Sequence, residues 1–237
     1  MKFARDRRRW LQWPFEAKKR YGLSVLNYIL TSNHVHILVS DDGDRDVIPN
    51  SIQLIAGRTG QEYNQRKKRN GAFWEDRYHA TAIESNEHLI RCMLYIDMNM
   101  VRAGVVNHPR QWPFCGYNEI NSPRQRYTVI NYKKLIELLQ MRDIEELQTS
   151  YNQRVDEILR GGTQTRESKW TEAIAVGSKE FVEATAERLG IMEIGRRISK
   201  EKGGYELRET TTPYSSDFDT KNATLSQENT YVWNESI

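Results

Sequence analysis

Two short segments of the chain carry side chains able to act on a phosphate. In Asn33-His34-Val35-His36-Ile37-Leu38-Val39 the period of two along a strand puts His34, His36 and Leu38 on one face and Val35, Ile37 and Val39 on the other. Two neutral imidazoles side by side can hold one divalent cation and leave coordination positions open to substrate oxygens. The same pattern also describes a surface strand with two solvated histidines, and a third ligand has to come from elsewhere. The second segment is helical: Leu89, Met93, Ile96 and Met100 form an apolar stripe, with Arg91, Tyr95, Asn99 and Arg102 on a neighbouring polar face. Tyr95 and Asn99 are one turn apart. A phenol beside an amide oxygen and two arginines can grip a phosphate, because Arg offsets its charge and the amide can ligate a hard cation. The alternative is that Tyr95 only packs and Asn99 bonds to backbone near the helix end.

The elements that must position these groups follow from period and punctuation. Residues 3–21 read as a helix stopped by Gly22 and kinked or divided by Pro14. Leu23–Thr31 and His34–Ser40 read as antiparallel strands turning at Ser32-Asn33. After the acidic loop Asp41–Asp46, Pro49 opens a helix with the stripe Ile52, Ile55, Ala56, Thr59 and Tyr63, which ends in Arg66-Lys67-Lys68-Arg69. Residues Ala72–Ile83 favour an extended segment, and a helix starts at Ser85-Asn86-Glu87 and stops at Gly104. Asn121–Arg126 looks like a linker. Beyond it, Tyr132–Gln140, Ile144–Leu159 and Trp170–Leu189 have helical spacing, and from Lys202 onward the chain is polar and expected to be loosely ordered. The expectation is a domain over residues 1–128, a small helical accessory domain over 129–200 and a polar tail over 201–237.

Composition narrows the partners. The net charge is +3, yet Lys and Arg outnumber Asp and Glu by 20 to 13 in residues 1–127 and trail them by 15 to 19 afterwards. A cationic front half suits phosphate neutralisation, and it equally suits solvated helix faces. The residues expected to meet DNA are Arg66, Lys67, Lys68, Arg69, Arg77, Tyr78, Arg91 and Arg102. Tyr63, Trp74 and Tyr78 could stack on unpaired bases, Trp74 being as well suited to a core. Neither a membrane span nor a signal-type start is present, so a cytoplasmic setting is expected. Two cysteines, Cys92 and Cys115, are too few for a disulfide framework.

Taken in order, the His34-Val35-His36 strand, the basic helix, the segment Phe73-Trp74-Glu75-Asp76-Arg77-Tyr78 and the helix motif Tyr95-Ile96-Asp97-Met98-Asn99-Met100-Val101-Arg102-Ala103-Gly104 resemble the single-tyrosine transposases of the His-hydrophobic-His class, and among them the REP-associated tyrosine transposases. The likeness runs over about residues 3–120. It implies an α+β catalytic domain with an antiparallel ferredoxin-like sheet packed by helices. It also implies that His34, His36 and Asn99 bind Mg²⁺ or Mn²⁺ and that Tyr95 is the nucleophile, attacking single-stranded hairpin DNA and leaving a 5′-phosphotyrosine and a free 3′-hydroxyl. Met100 stands where relatives commonly have proline. Relatives also begin with a strand ahead of the first helix, whereas helical sequence starts here at Phe3, so the expectation is an unpaired sheet edge that either destabilises the fold or invites association, a homodimer being one form of it. Two other functions compete: a non-catalytic hairpin-binding protein derived from such an enzyme, and a relaxase or replication initiator, against which the small size counts.

Overall fold

The computed structural model describes residues 3–75, 77–162, 165–189, 196–201 and 203–209. Helices α1 (Ala4–Trp10) and α2 (Gln12–Tyr21) divide at Leu11, so that Pro14 falls in the first turn of α2, where its missing N–H breaks no helical bond. Gly22 ends α2 in the left-handed conformation at φ 78°, its N–H donating to the Lys18 carbonyl at 3.0 Å.

Strands β1 (Ser24–Leu30) and β2 (Val35–Ser40) pair antiparallel, with Ile29 opposite His36 and Leu30 opposite Val35. Every residue of β1 is buried, because helices and loops cover it on all sides. Its second edge is met by single bridges at Cys115 and Ile130. Among the described residues the outer edge of β2 pairs with no strand. Helix α3 (Val47–Lys67) again takes its proline, Pro49, in the first turn, and it packs on α2 through Ser51, Ile55 and Thr59. After the two-residue strand β3 (Ala82–Ile83) come α4 (Glu87–Asp97) and α5 (Asn99–Arg102), joined through Met98, whose N–H still reaches Leu94 O at 2.9 Å. Asn86 takes the N-cap position of α4 with φ 62°, and its side chain makes no capping bond. Gly104 closes the pair at φ 68°.

A 3-10 turn (Pro109–Gln111) and α6 (Gly116–Asn121) lead to α7 (Tyr132–Leu138) and α8 (Ile144–Arg160), both with side-chain N-caps, Asn131 and Asp143. From there the structure departs from the helical reading. Trp170–Leu189 is not one helix but α9 (Lys169–Glu172), strand β4 (Ala175–Gly177) and α10 (Lys179–Arg188). The break has a cause in packing: a Cβ at Gly177 would stand 2.5 Å from the Phe181 ring and 2.9 Å from Glu84, so the backbone closes tightly there. Strand β5 (Arg196–Glu201) and strand β6 (Gly204–Glu209) form a hairpin through Gly203 and Gly204, at φ 89° and 151°. Part of the expected loose tail is therefore a strand. Asp76, Lys202 and everything after Glu209 lie outside the described residues. The second sheet runs β3-β4-β6-β5, parallel between β3 and β4 and antiparallel elsewhere.

The result is an α+β fold: a small antiparallel pair packed by helices, with a helical region that also contributes strands. One hydrophobic core takes Tyr28 and Ile29 from β1, Met93 and Ile96 from α4, and Ile130, Leu135, Leu147, Tyr151 and Trp170 from beyond residue 128. No helix among the described residues is long and apolar enough to cross a membrane.

Candidate active site

The strand and the tyrosine helix are brought to a fixed register by buried polar bonds. Helix α4 lies on β1, and Asn27 of β1 donates through Nδ2 to Asp97 Oδ2 at 3.1 Å and to the Met93 carbonyl at 3.3 Å. Asp97, at the end of α4, is fully buried and also accepts from the Tyr151 hydroxyl at 2.6 Å and the Tyr117 backbone N–H at 3.2 Å. Burial pushes its carboxyl up to about 7, against the pull of the bonds from Tyr151, Asn27 and Tyr117. Three donors around one buried carboxyl are what such a group requires if it is not to be heavily destabilising. They pin the segment that carries Tyr95 and Asn99.

At the start of β2, the Thr31–His34 connection is closed by Thr31 N–H to His34 O at 3.0 Å and by His34 N–H to Thr31 Oγ1 at 3.0 Å. His34 and His36 then project to the same side, their ring centroids 4.9 Å apart. The His36 ring meets Tyr95 edge-to-face at 6.3 Å, and the Trp170 ring also lies 6.3 Å from that of Tyr95. A run of four rings thus links two motifs that lie some sixty residues apart in sequence and a third residue from α9. The Arg102 guanidinium sits over the Tyr95 ring at 4.0 Å and bonds the Tyr95 carbonyl at 2.8 Å. Asn99 is half-buried and its side chain lies near enough to the His34 ring to oppose the lowering of its pKa, while His34 Nδ1 lies 3.0 Å from Asn33 Oδ1.

Burial favours the neutral form of both imidazoles. Burial lowers His36 to about 4, reinforced by the charges of His34, Arg102 and Arg166. His34 is more exposed and is also lowered by desolvation, with the Asn99 bond opposing and Arg166 and Arg102 adding to the shift. Neutral imidazoles have the lone pairs a cation needs. Among the described residues no three of His, Cys, Asp and Glu cluster to hold a metal, so a three-ligand site here depends on an amide oxygen. Two imidazoles with Asn99 against His34 fit a divalent cation that retains open positions.

His34, His36, Tyr95, Asn99 and Arg102 are therefore together. The other sequence candidates are placed elsewhere. Arg91 donates to the Gly203 carbonyl at 3.0 Å, against the β5–β6 hairpin. Arg66 pairs with Asp6 at 2.5 Å and, like Arg69, lies over the Tyr63 ring, while Arg69 also donates to the Ala72 carbonyl at 2.7 Å. Lys67 lies over the Phe3 ring, and Lys68 forms the left-handed end of α3. Tyr78 is 57% exposed in the segment that also holds Arg77. Trp74 bonds the Ala56 carbonyl and packs with Phe73, so it belongs to the α3 packing. Sequence reasoning missed Asp97 and Trp170. A carboxylate four residues after Met93 on the core side of a helix was the available signal for Asp97; Trp170 had none.

Residues 4–99 match the model of a family described as "Transposase IS200 like". The matched stretch runs from α1 to the start of α5 and contains His34, His36, Tyr95 and Asn99. No curated protein and no solved structure gives a significant match. Over residues 4–99 the chain is thus similar to IS200-like transposases, and the match supports a transposase-type action on DNA.

Proposed function

We propose that the protein nicks and rejoins single-stranded hairpin DNA through Tyr95, as a REP-associated tyrosine transposase does. The observation that carries this reading is the convergence of His34, His36, Asn99 and Arg102 around one tyrosine. Tyr95 Oη would attack the scissile phosphorus in line, forming the Tyr–O–P bond as the bond to the 3′ oxygen breaks. The phenol gives up its proton, and the departing 3′ oxygen gains one. The phosphoester energy is conserved in the 5′-phosphotyrosine, so a 3′-hydroxyl can reverse the step and join a new strand. His34, His36 and Asn99 would hold Mg²⁺ or Mn²⁺, which when bound supplies positive charge against the scissile phosphate and orients it. Arg102, fixed over the Tyr95 ring, supplies a second positive charge at the approach to the hydroxyl.

A second reading, a hairpin-binding protein without cleavage, is favoured by one feature: Tyr95 is only 7% exposed, flanked by Trp170 and covered by Arg102. End-labelled hairpin DNA with Mg²⁺ or Mn²⁺ separates the two. A covalent adduct carrying the 5′ side of the break, lost in Tyr95→Phe with hairpin affinity nearly unchanged, supports the enzyme. An adduct that persists in Tyr95→Phe refutes the nucleophile, and the absence of any adduct with intact hairpin binding supports the second reading. Loss of the adduct in His34→Ala, His36→Ala or a chelator, with binding spared, would support the metal role; cleavage that survives chelation would remove it.

A further inference from the structure

Helices α1 and α2 carry a basic edge that the candidate site does not use. Arg5, Arg8, Arg9 and Gln12 follow one another at intervals of three, one and three residues, and all four line a cleft of about 510 Å³ that lies against α3 and includes the Trp13 side chain. A second cleft of about 770 Å³ shares Arg8, Arg9, Gln12 and Trp13 with the first and extends past Phe15 and Phe114 to Arg124 and Tyr127. The two form one groove, and none of His34, His36, Tyr95 and Asn99 lines it.

The charges of this groove are unbalanced. It is lined by six arginines and three carboxylates, and each carboxylate is already held: Asp6 by Arg66 at 2.5 Å, Glu62 by Arg9 at 2.6 Å and Glu16 by Arg20 at 3.6 Å. Arg5 and Arg8 remain, both exposed and with no ion pair or hydrogen bond among the described residues. Arg124 stands 3.9 Å from Glu119, a carboxylate whose oxygens already accept from Tyr28, Val129 and Ile130. Positive charges without counter-ions along a groove attract a polyanion. At the far end Tyr127 is 68% exposed and stands edge-on to Phe15, the centroids 5.2 Å apart. Arginines beside a solvated ring are the pairing that suits an unpaired strand, cations for its phosphates and a ring for an unstacked base. A duplex keeps its bases stacked on one another and has none to offer Tyr127.

We propose that the groove from Arg5 to Tyr127 is a second binding surface for single-stranded DNA, separate from the candidate active site, which holds phosphates through Arg5, Arg8 and Arg124 and stacks a base on Tyr127. Neither contact reads a base edge, so the groove takes a strand without regard to its sequence. The inference does not require Tyr95 to be a nucleophile.

The test is the binding of a fluorescent oligothymidylate, which forms no hairpin, to the full chain, followed by anisotropy across a range of salt concentrations. Arg5→Ala with Arg8→Ala should weaken binding and lower the slope of log K against log salt by about 1.4, at about 0.7 for each single-strand phosphate no longer neutralised. Tyr127→Ala should weaken binding about tenfold and leave the slope as it is, whereas Tyr127→Phe should bind like the parent. Arg188→Ala, exposed on α10 and outside the groove, should change neither. An unchanged slope in the Arg5–Arg8 double variant overturns the groove, and so does a parent that binds duplex of equal length as tightly as the oligothymidylate, or that binds neither. Covalent chemistry is scored apart: a lowered slope supports the groove even where hairpin DNA forms no adduct with the parent, and an adduct together with an unchanged slope keeps the enzyme and removes the groove.

Discussion

At the scale of single residues, His36 and Asp97 make opposite demands on pH. The folded state holds His36 at about 4 against an ordinary 6.5, so its contribution to stability is present above 6.5 and is lost as pH falls through 4. That contribution is on the order of 2 kcal/mol after allowance for partial solvation. Asp97 is raised to about 7 from 3.8, so its contribution is present below 3.8 and is lost as pH rises through 7. In metal-free buffer, His36→Gln should flatten the fall in thermal midpoint between pH 7 and pH 4.5, and Asp97→Asn should steepen it. A His36→Gln profile parallel to that of the parent would mean the imidazole is not held neutral by burial. The residues legible in the sequence were those with a strong local pattern: His34 and His36 by strand alternation, Tyr95, Asn99 and Arg102 by helical spacing. Arg91 shows the limit of that reasoning, since its spacing is as good and the fold turns it to the β5–β6 hairpin.

At the scale of elements, the site depends on how α4, β1, α6 and α8 share Asp97. Tyr151→Phe removes the 2.6 Å bond from α8 and should cost about 1–3 kcal/mol in urea unfolding. Two glycines give a paired prediction of opposite sign. At Gly116 a Cβ would fall 1.8 Å from Asn27 Oδ1 and 3.2 Å from the Tyr28 nitrogen, so Gly116→Ala must displace Asn27 from Asp97 and should destabilise by about 3 kcal/mol or more. Gly57, within α3, has nothing within 4 Å of its Cβ position, so Gly57→Ala should stabilise by about 0.5–1 kcal/mol. Equal effects at the two positions would show that Asn27 does not constrain the fold. Elements with a clear period were legible, including Pro49 in a first turn and a first helix divided in two near Pro14. The α9-β4-α10 region was not, because Trp170–Leu189 keeps helical spacing and only the close approach of Gly177 to Phe181 and Glu84 interrupts it. Glu84 and the strands β3 and β6 that pair with β4 lie far off in sequence and leave no local signature there.

At the scale of the whole molecule, the excess of 20 basic over 13 acidic residues in the first 127 positions should make DNA binding strongly salt-dependent. Lys67→Ala with Lys68→Ala should lower the slope by roughly 0.7 for each single-strand phosphate that these lysines neutralise in the parent. No change would remove the end of α3 from the interface. The charge asymmetry was readable from composition, but the continuity of the core was not. Asn121–Arg126 has the composition of a linker, yet Val129 and Ile130 immediately beyond it are buried, their backbone N–H groups donating to the buried Glu119 carboxylate at 2.7 and 2.9 Å. Strand β3, at residues 82–83, has its partner β4 at residues 175–177. A protease that cuts at the exposed 123–127 turn should therefore yield two fragments that travel together through a sizing column under native conditions and part only in denaturant. Expressed alone, the piece ending at residue 128 should aggregate, because Tyr28, Met93 and Tyr95 would be stripped of the side chains that cover them. The stretch of chain that can be recognised by descent is shorter than the stretch that can fold.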